Sequence, residues 1–250
     1  MKITAINVYE RILSMTSAYN MSSSAVGDAS STIVELLTDS EHIGYGEICP
    51  TGPLPQPEHA GSIRADLELL APVLVGLNPV LIGHVLAAMN SAMDGGVGAK
   101  SAIDIACWDL LGKATGHRVC DLLGGPLMDP VSTYHVIAIG TPDESASSAN
   151  HLQNDGHTKL QLKAGGRRIE DDIRAAHAVA SVIRPGVDLF VDANRGFSVE
   201  QAIQFSHACA GLRLNMEQPC HTYEACAAAK PSLVHPLLLD ESAKDLAILA

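Results

Sequence analysis

Four short apolar runs in the second half of the chain decide its reading: Leu160-Gln-Leu-Lys163, Phe190-Val-Asp192, Asn215-Met-Glu217 and Leu238-Leu-Asp240-Glu241. Each is a run of the length and composition of a buried strand, and each ends on a charged residue. Working outward, strands are expected near 131–139, 158–163, 187–192, 212–216 and 234–239. Helices fall between them, near 142–153, 168–182, 198–208 and 221–229, and a last one starts at Ser242. Repeated βα units of this length predict a parallel sheet, either an open doubly wound sheet or a (β/α)₈ barrel. No Gly-x-Gly-x-x-Gly opens any of these helices, so a dinucleotide site has no support.

In a parallel βα array every strand C-terminus lies on one face, where sites form. Lys163, Asp192, Glu217 and Asp240 would converge there, one per consecutive strand. Three carboxylates without Cys or paired His are hard oxygen ligands that suit Mg²⁺ rather than Zn²⁺. A lysine beside them can accept a proton where burial and nearby positive charge lower its pKa. A metal supplies that charge and stabilises a developing enolate, so the pattern reads as α-proton abstraction next to a carboxylate. The plain alternative is that each acidic residue is the N-cap of the helix that follows it. Three in consecutive units, each directly ending an apolar run, weigh against capping.

The first half reads differently. Residues 2–13 alternate weakly as β, Ser14–Ser31 is polar and loop-like, and Thr32–Thr38 with Ile43–Cys49 forms a hairpin. Four prolines in Pro50–Pro57 exclude helix and inner strand and give a stiff loop. Ile63, Leu67, Leu70 and Val73 share one helical face, and Leu81, Val85 and Met89 a second. A helix from Ala99 to Ala114, stopped by Thr115-Gly116, turns Ile103, Ala106, Cys107 and Leu110 inward, with Trp108 expected in the core. Residues 1–125 are therefore expected as an α+β domain and 126–250 as the βα array.

Composition sets the outer limits. Among 250 residues, 47% are hydrophobic and 18% charged, which excludes wholesale disorder. A net charge of −12 argues against a nucleic-acid surface. Six cysteines form no CxxC pair, and no uncharged stretch is continuous enough to span a membrane. A cytoplasmic protein with reduced thiols and a small-molecule partner is expected.

Five stretches, in order, carry a resemblance: Ile103-Asp-Ile-Ala-Cys-Trp-Asp-Leu-Leu-Gly-Lys113, Gln161-Leu-Lys163-Ala-Gly165, Val191-Asp-Ala-Asn194, Glu217-Gln-Pro219 and Leu239-Asp-Glu-Ser242. Together they resemble the mandelate racemase and muconate lactonizing enzyme family of the enolase superfamily. The resemblance implies an α+β capping domain followed by a (β/α) TIM-type barrel, of which about the first five βα units are present. It implies Mg²⁺ on Asp192, Glu217 and Asp240, with Glu241 as the fallback third ligand. It makes Lys163 the acid/base, and places Asn194 and Gln161 within reach of substrate. The segments at 14–31 and 50–57 match loops that close over substrate, with Tyr19 a candidate aromatic contact. Within the family, 158–166, 103–116 and 217–224 look most like the cis-3-hydroxy-L-proline dehydratases and the proline-betaine or hydroxyproline-betaine epimerases. The implied activity is racemisation, epimerisation or dehydration of a proline-type amino acid or its betaine. Other family reactions are the alternatives: cycloisomerisation, dipeptide epimerisation and acid-sugar dehydration. A homo-oligomer is implied at full length.

Two departures accompany the resemblance. Gln161 stands where the family has a first lysine, which removes one cation near the base. A full member also has three more strands, the sixth bearing an opposing lysine. On that comparison the chain is C-terminally truncated, and a non-catalytic product is the reading from another class.

Overall fold

The computed structural model describes the backbone of residues 1–20, 25–50 and 57–244, and side chains within these ranges except at 15–20, 25 and 26. The chain divides into two compact units. One comprises Met1–Ser17 with Gly27–Asp129, the other Ala18–Val26 with Pro130–Ala250.

The first unit begins with three strands, β1 (Ile3–Asn20), β2 (Ala25–Thr38) and β3 (Gly44–Ile48), in the sheet order β1-β2-β3. The expected loop at 14–31 is corrected here: strand continues to Asn20 and resumes at Ala25. Ser and Thr are poor at closing a core, but strand pairing satisfies the backbone whatever the side chains contribute. The polar composition thus marks neighbouring paired strands rather than a loop. The residues between them and the Tyr19 side chain lie outside the described residues, as does the stretch 51–56 between the prolines that bracket it.

Helices α1 (Ala60–Leu74), α2 (Ile82–Ala92), α3 (Val97–Thr115) and the single turn α4 (Val119–Leu122) follow. Ile63, Leu67 and Leu70 are buried as expected, but Leu74 rather than Val73 completes the face, Val73 being 43% exposed. Leu81 is the N-cap of α2 and also turns to solvent, leaving Val85 and Met89 inward. Helix α3 buries Ile103, Ala106, Cys107 and Leu110 and ends on Gly116 in a left-handed C-cap. Trp108 departs from the expected core position. It is half-buried and lines a cavity of about 780 Å³ with Tyr45, Ile105 and Lys113.

Strand β3 lies directly on α3. A Cβ at Gly46 would stand 1.9 Å from the Ala102 carbonyl oxygen, and one at Gly44 2.5 Å from that of Ala106. Glycine at these alternate positions is what permits the approach. Asp109 fastens the same contact by accepting from the Tyr45 amide (2.8 Å) and from Lys113 Nζ (2.6 Å), a structural role for that carboxylate.

The second unit is the βα array. It runs β4 (His135–Ile137), α5 (Pro142–Asn154), β5 (Lys159–Lys163), α6 (Ile169–Ala180), β6 (Asp188–Asp192), α7 (Val199–Ala208), β7 (Asn215–Glu217), α8 (Tyr223–Ala229) and β8 (Leu237–Leu238). The five strands form one parallel sheet in sequential order. Leu160, Leu162, Leu189, Val191 and Met216 face the helices and meet Ala175, Val179 and Phe205. Strands β4, β7 and β8 are shorter than their apolar runs suggest, and Pro219 and Pro236 flank the last two. Of the helix expected from Ser242, residues 242–244 are not helical and the rest lie outside the described residues. No helix among the described residues is long and apolar enough to cross a membrane.

Candidate active site at the strand ends

Sheet register places the charged strand ends. Lys163 pairs with Asp192, and Asp192 with Glu217, so the three side chains occupy one row across β5, β6 and β7. Adjacent strands lie about 4.8 Å apart and side chains alternate faces, so a row in register projects to one side. Glu217 pairs in turn with Leu238, and Asp240 follows two residues later.

For Asp192 and Glu217 the capping alternative fails on inspection of the helices. The N-cap of α7 is Ser198, whose side chain accepts from the Gln201 amide in a reciprocal capping box. The N-cap of α8 is Thr222, accepting from the Ala225 amide. Neither Asp192 nor Glu217 caps the helix that follows it.

The row is tightly bonded. Lys163 Nζ donates to Asp192 Oδ2 at 2.5 Å, and both residues are buried, at 5% and 1% exposure. The other Asp192 oxygen accepts from the Asn194 amide at 2.8 Å. Gln161, one pleat below Lys163, donates from Nε2 to Glu217 Oε2 at 2.7 Å. Asn194 Nδ2 donates to Glu241 Oε1 at 3.3 Å, and Arg195 Nε lies 3.8 Å from the same oxygen. Asn194 and Arg195 have φ of 42° and 68°, and Gln218 after β7 has 31°, so left-handed backbone turns the chain at both strand ends.

The electrostatics report crowding of like charge. Burial pushes the Glu217, Asp240 and Glu241 carboxyls above the usual carboxylate range, and Asp192 adds to the rise in all three. For Glu217 the Gln161 hydrogen bond opposes burial more than any charge does. Lys163 opposes the rise for Glu217 and Asp240, whereas Asn194 does so for Glu241. Asp240 therefore shares the Lys163 and Arg195 fields, and Glu241 leans on Asn194. Among the described residues, no three His, Cys, Asp or Glu side chains stand close enough as placed to hold a metal ion. Each carboxylate instead takes an N–H or cationic neighbour.

Just below the row, a cavity of about 690 Å³ is lined by Ser132–Tyr134, Lys159, Gln161, Phe190, Glu217 and Leu238. Gln161 Oε1 and Glu241 Oε2 are buried without a hydrogen-bond partner among the described residues. The turn after β5 is braced by buried Asp172, which accepts from the Gly165 amide (2.9 Å) and Arg167 Nε (2.5 Å).

Residues 3–124 match the mandelate racemase / muconate lactonizing enzyme N-terminal domain, and residues 144–250 match the enolase C-terminal domain-like family. The chain belongs to the mandelate racemase and muconate lactonizing enzyme family of the enolase superfamily. It is 40% identical to a cis-3-hydroxy-L-proline dehydratase of Roseibium aggregatum over 96% of this chain and 66% of that protein. The chain thus spans about two thirds of that relative's length. A member of the enolase superfamily from Roseovarius nubinhibens, complexed with magnesium, superposes with a TM-score of 0.90 at 31% identity, over 99% of this chain and 68% of that one. A dipeptide epimerase from Enterococcus faecalis, complexed with Mg and L-Leu-L-Tyr, gives 0.93 at 27% identity, over 99% and 70%. The family fold is an α+β N-terminal domain with a TIM-type barrel, and the parallel strands β4–β8 are this chain's share of that barrel.

Sequence reasoning passed over two residues at the site. Gln218 was legible only as the middle of Glu217-Gln-Pro219, and its partners come from two distant turns. Arg195 lacked any signal in strand patterning because it lies beyond the end of β6.

Proposed function

We propose that this chain carries Mg²⁺-assisted abstraction of the α-proton of a small carboxylate, with Lys163 as the base and a proline-type amino acid or its betaine as substrate. The observation that carries this reading is the register row Lys163–Asp192–Glu217 at the C-terminal end of a parallel sheet. The substrate class rests on the likeness to the proline-type dehydratase. We further propose a division into domains at 125/126, and a cytoplasmic homo-oligomer at full length.

The residues present fit a hard divalent cation. Asp192, Glu217 and Asp240 offer oxygen donors from three adjacent strand ends, and the Asp192 charge adds to the rise that burial gives the Glu217 and Asp240 carboxyls, so a counter-charge there would be stabilising. Glu241, with a buried oxygen lacking a hydrogen bond, is the alternative third donor. Bound there, the ion supplies positive charge that offsets the carboxylates and favours the charge developing on a substrate carboxylate.

The chain's own residues do the rest. The Lys163 ammonium that pairs with Asp192 first gives up a proton to solvent, which positive charge on the carboxylates favours; the neutral Nζ then takes the proton from Cα, and the electron pair moves into the substrate carboxylate as an ene-diolate. Its collapse with departure of a β-hydroxyl, which leaves as water with a returned proton, is dehydration. Return of a proton to the opposite face of Cα is epimerisation, which needs an acid on that face, the role the family gives to the lysine of a sixth strand. Gln161 holds Glu217 and lines the cavity below the row.

The test is proton NMR of cis-3-hydroxy-L-proline and L-proline in D₂O with the protein and Mg²⁺. Loss of the Cα–H signal that disappears in Lys163→Ala is expected, and loss of the β-hydroxyl marks dehydration. An unchanged Cα–H with folded, Mg²⁺-loaded protein overturns the proposal.

A further inference from the structure

Gln218 is fully buried immediately after Glu217, in a left-handed backbone conformation that a side chain adopts only under constraint. Its amide oxygen accepts three hydrogen bonds, from the Asp240 amide (2.9 Å), the Ser242 amide (3.2 Å) and Ser242 Oγ (2.9 Å). Its amide nitrogen donates to the Cys220 carbonyl (3.1 Å) and toward Cys226 Sγ (3.6 Å). The backbone is engaged as well: its N–H donates to Leu238 O (3.0 Å) and its carbonyl accepts from Arg195 N–H (2.8 Å). One residue therefore ties the turn after β7 to the turns after β6 and β8.

The chemistry of these contacts is specific. Three donors converge on one end of the side chain and two acceptors on the other, a pattern that only a neutral carboxamide meets at this length. A carboxylate could serve the three donors but would oppose the Cys220 carbonyl, and an aliphatic chain would deprive the Asp240 and Ser242 amides and the Ser242 hydroxyl of this acceptor.

We propose that Gln218 is a positioning residue for the carboxylate set: it fixes Asp240 relative to Glu217 through the Asp240–Ser242 turn, and so sets the affinity of the site for a divalent cation. The inference rests on the ligand reading above. Groups that orient ligands from outside their coordination shell commonly change metal affinity by about 10–100-fold. Ser242 supplies two of the three donors, so its hydroxyl is a second handle on the same turn.

The experiment is a Mn²⁺ titration followed by electron paramagnetic resonance, on wild type, Asp192→Asn, Gln218→Met and Ser242→Ala, with circular dichroism of each in chelator. Wild type is expected to take up Mn²⁺ at a site that Asp192→Asn removes. Gln218→Met is expected to bind about 10–100-fold more weakly with a broadened bound-ion spectrum, and Ser242→Ala to fall between. A purely structural Gln218 would lower thermal stability but leave the spectrum and affinity of the folded fraction unchanged, which overturns the inference. If Gln218→Met does not fold, Ser242→Ala decides alone: wild-type affinity and spectrum there overturn it. Absence of an Asp192-dependent site in wild type overturns the ligand reading itself, a separate outcome.

Discussion

Removing the Lys163 ammonium is the perturbation whose consequence follows most directly from the geometry. Its Nζ sits 2.5 Å from Asp192 Oδ2 with both groups buried. In Lys163→Met, Asp192, Glu217 and Asp240 lose the ammonium that acts on them, while the Arg195 guanidinium remains beside Asp240 and Glu241. Breaking a buried pair from one side costs about 3–5 kcal/mol, because the remaining charge keeps its desolvation and loses its partner. In a chain of this size that corresponds to a drop of roughly 6–20 °C in Tm. The loss should shrink in Mg²⁺. A site held at a hundred times its Kd gains about 2.7 kcal/mol, and the variant's uncompensated cluster should bind the ion more tightly than wild type does. The assay is thermal unfolding of both proteins in chelator and in a Mg²⁺ series. Mg²⁺ is expected to stabilise Lys163→Met more than wild type, while Cα–H exchange is lost at every Mg²⁺ concentration. Equal Mg²⁺ stabilisation of the two proteins, or a variant as stable as wild type in chelator, refutes the electrostatic reasoning.

Other expectations come from elsewhere in the molecule. Gly46→Ala drives a methyl into the Ala102 carbonyl, 1.9 Å away, so β3 must lift off α3; urea unfolding should show a loss of about 3 kcal/mol or more. Glu35 is held below the usual glutamate range by hydrogen bonds from Asn7, Tyr45 and Tyr9. Its contribution to stability is therefore present above the ordinary glutamate pKa and is lost as pH falls through the lowered value. An acid-unfolding profile of Glu35→Gln should lack that component as pH falls below the ordinary glutamate pKa. Burial pushes the Cys107 thiol up to about 12 and that of Cys209 up to about 11, while Cys120 is exposed. Mass spectrometry after brief native alkylation should find Cys120 modified and those two unmodified.

The barrel strands were legible where an apolar run ends on a charge. Strands β5 and β6 run to Lys163 and Asp192, as Leu160-Gln-Leu-Lys163 and Phe190-Val-Asp192 indicate. Their legibility has a physical source: the two pair with each other along all five residues, and no proline lies in or directly beside either. Pairing length was not legible in β7 and β8, since hydrogen-bonded register depends on the neighbour and on Pro219 and Pro236. The polar strand pair was misread for a similar reason. Residues 14–20 and 25–31 gain their strand conformation from pairing, which composition does not record. On α1 the difference between Val73 and Leu74 is one step of 100° around the helix, and a four-residue pattern fits either edge of the stripe.

The site is also a place where local rules are broken together. Burial lifts the proton affinity of the Glu217, Asp240 and Glu241 carboxyls and the Asp192 charge adds to it, and non-glycine residues occupy left-handed backbone at Asn194, Arg195 and Gln218. Strain of this kind persists only where surroundings over-determine it. Here the surroundings can be named. The Arg195 amide reaches the Gln218 carbonyl, the Phe197 amide reaches Pro219, and the Gln218 amide reaches Leu238, so the loops beyond the strands continue the ladder of the sheet. A ladder extended past the strand ends fixes where each carboxylate starts, while Gln161, Lys163, Asn194 and Arg195 decide where it points. Gln161 matters most in this division. A lysine there would set a second cation beside Glu217 and relieve the crowding by charge, whereas the amide relieves it only by a hydrogen bond. The carboxylate row therefore keeps more of its negative charge uncompensated, which favours a divalent cation as its counter-charge and leaves Lys163 as the row's own ammonium.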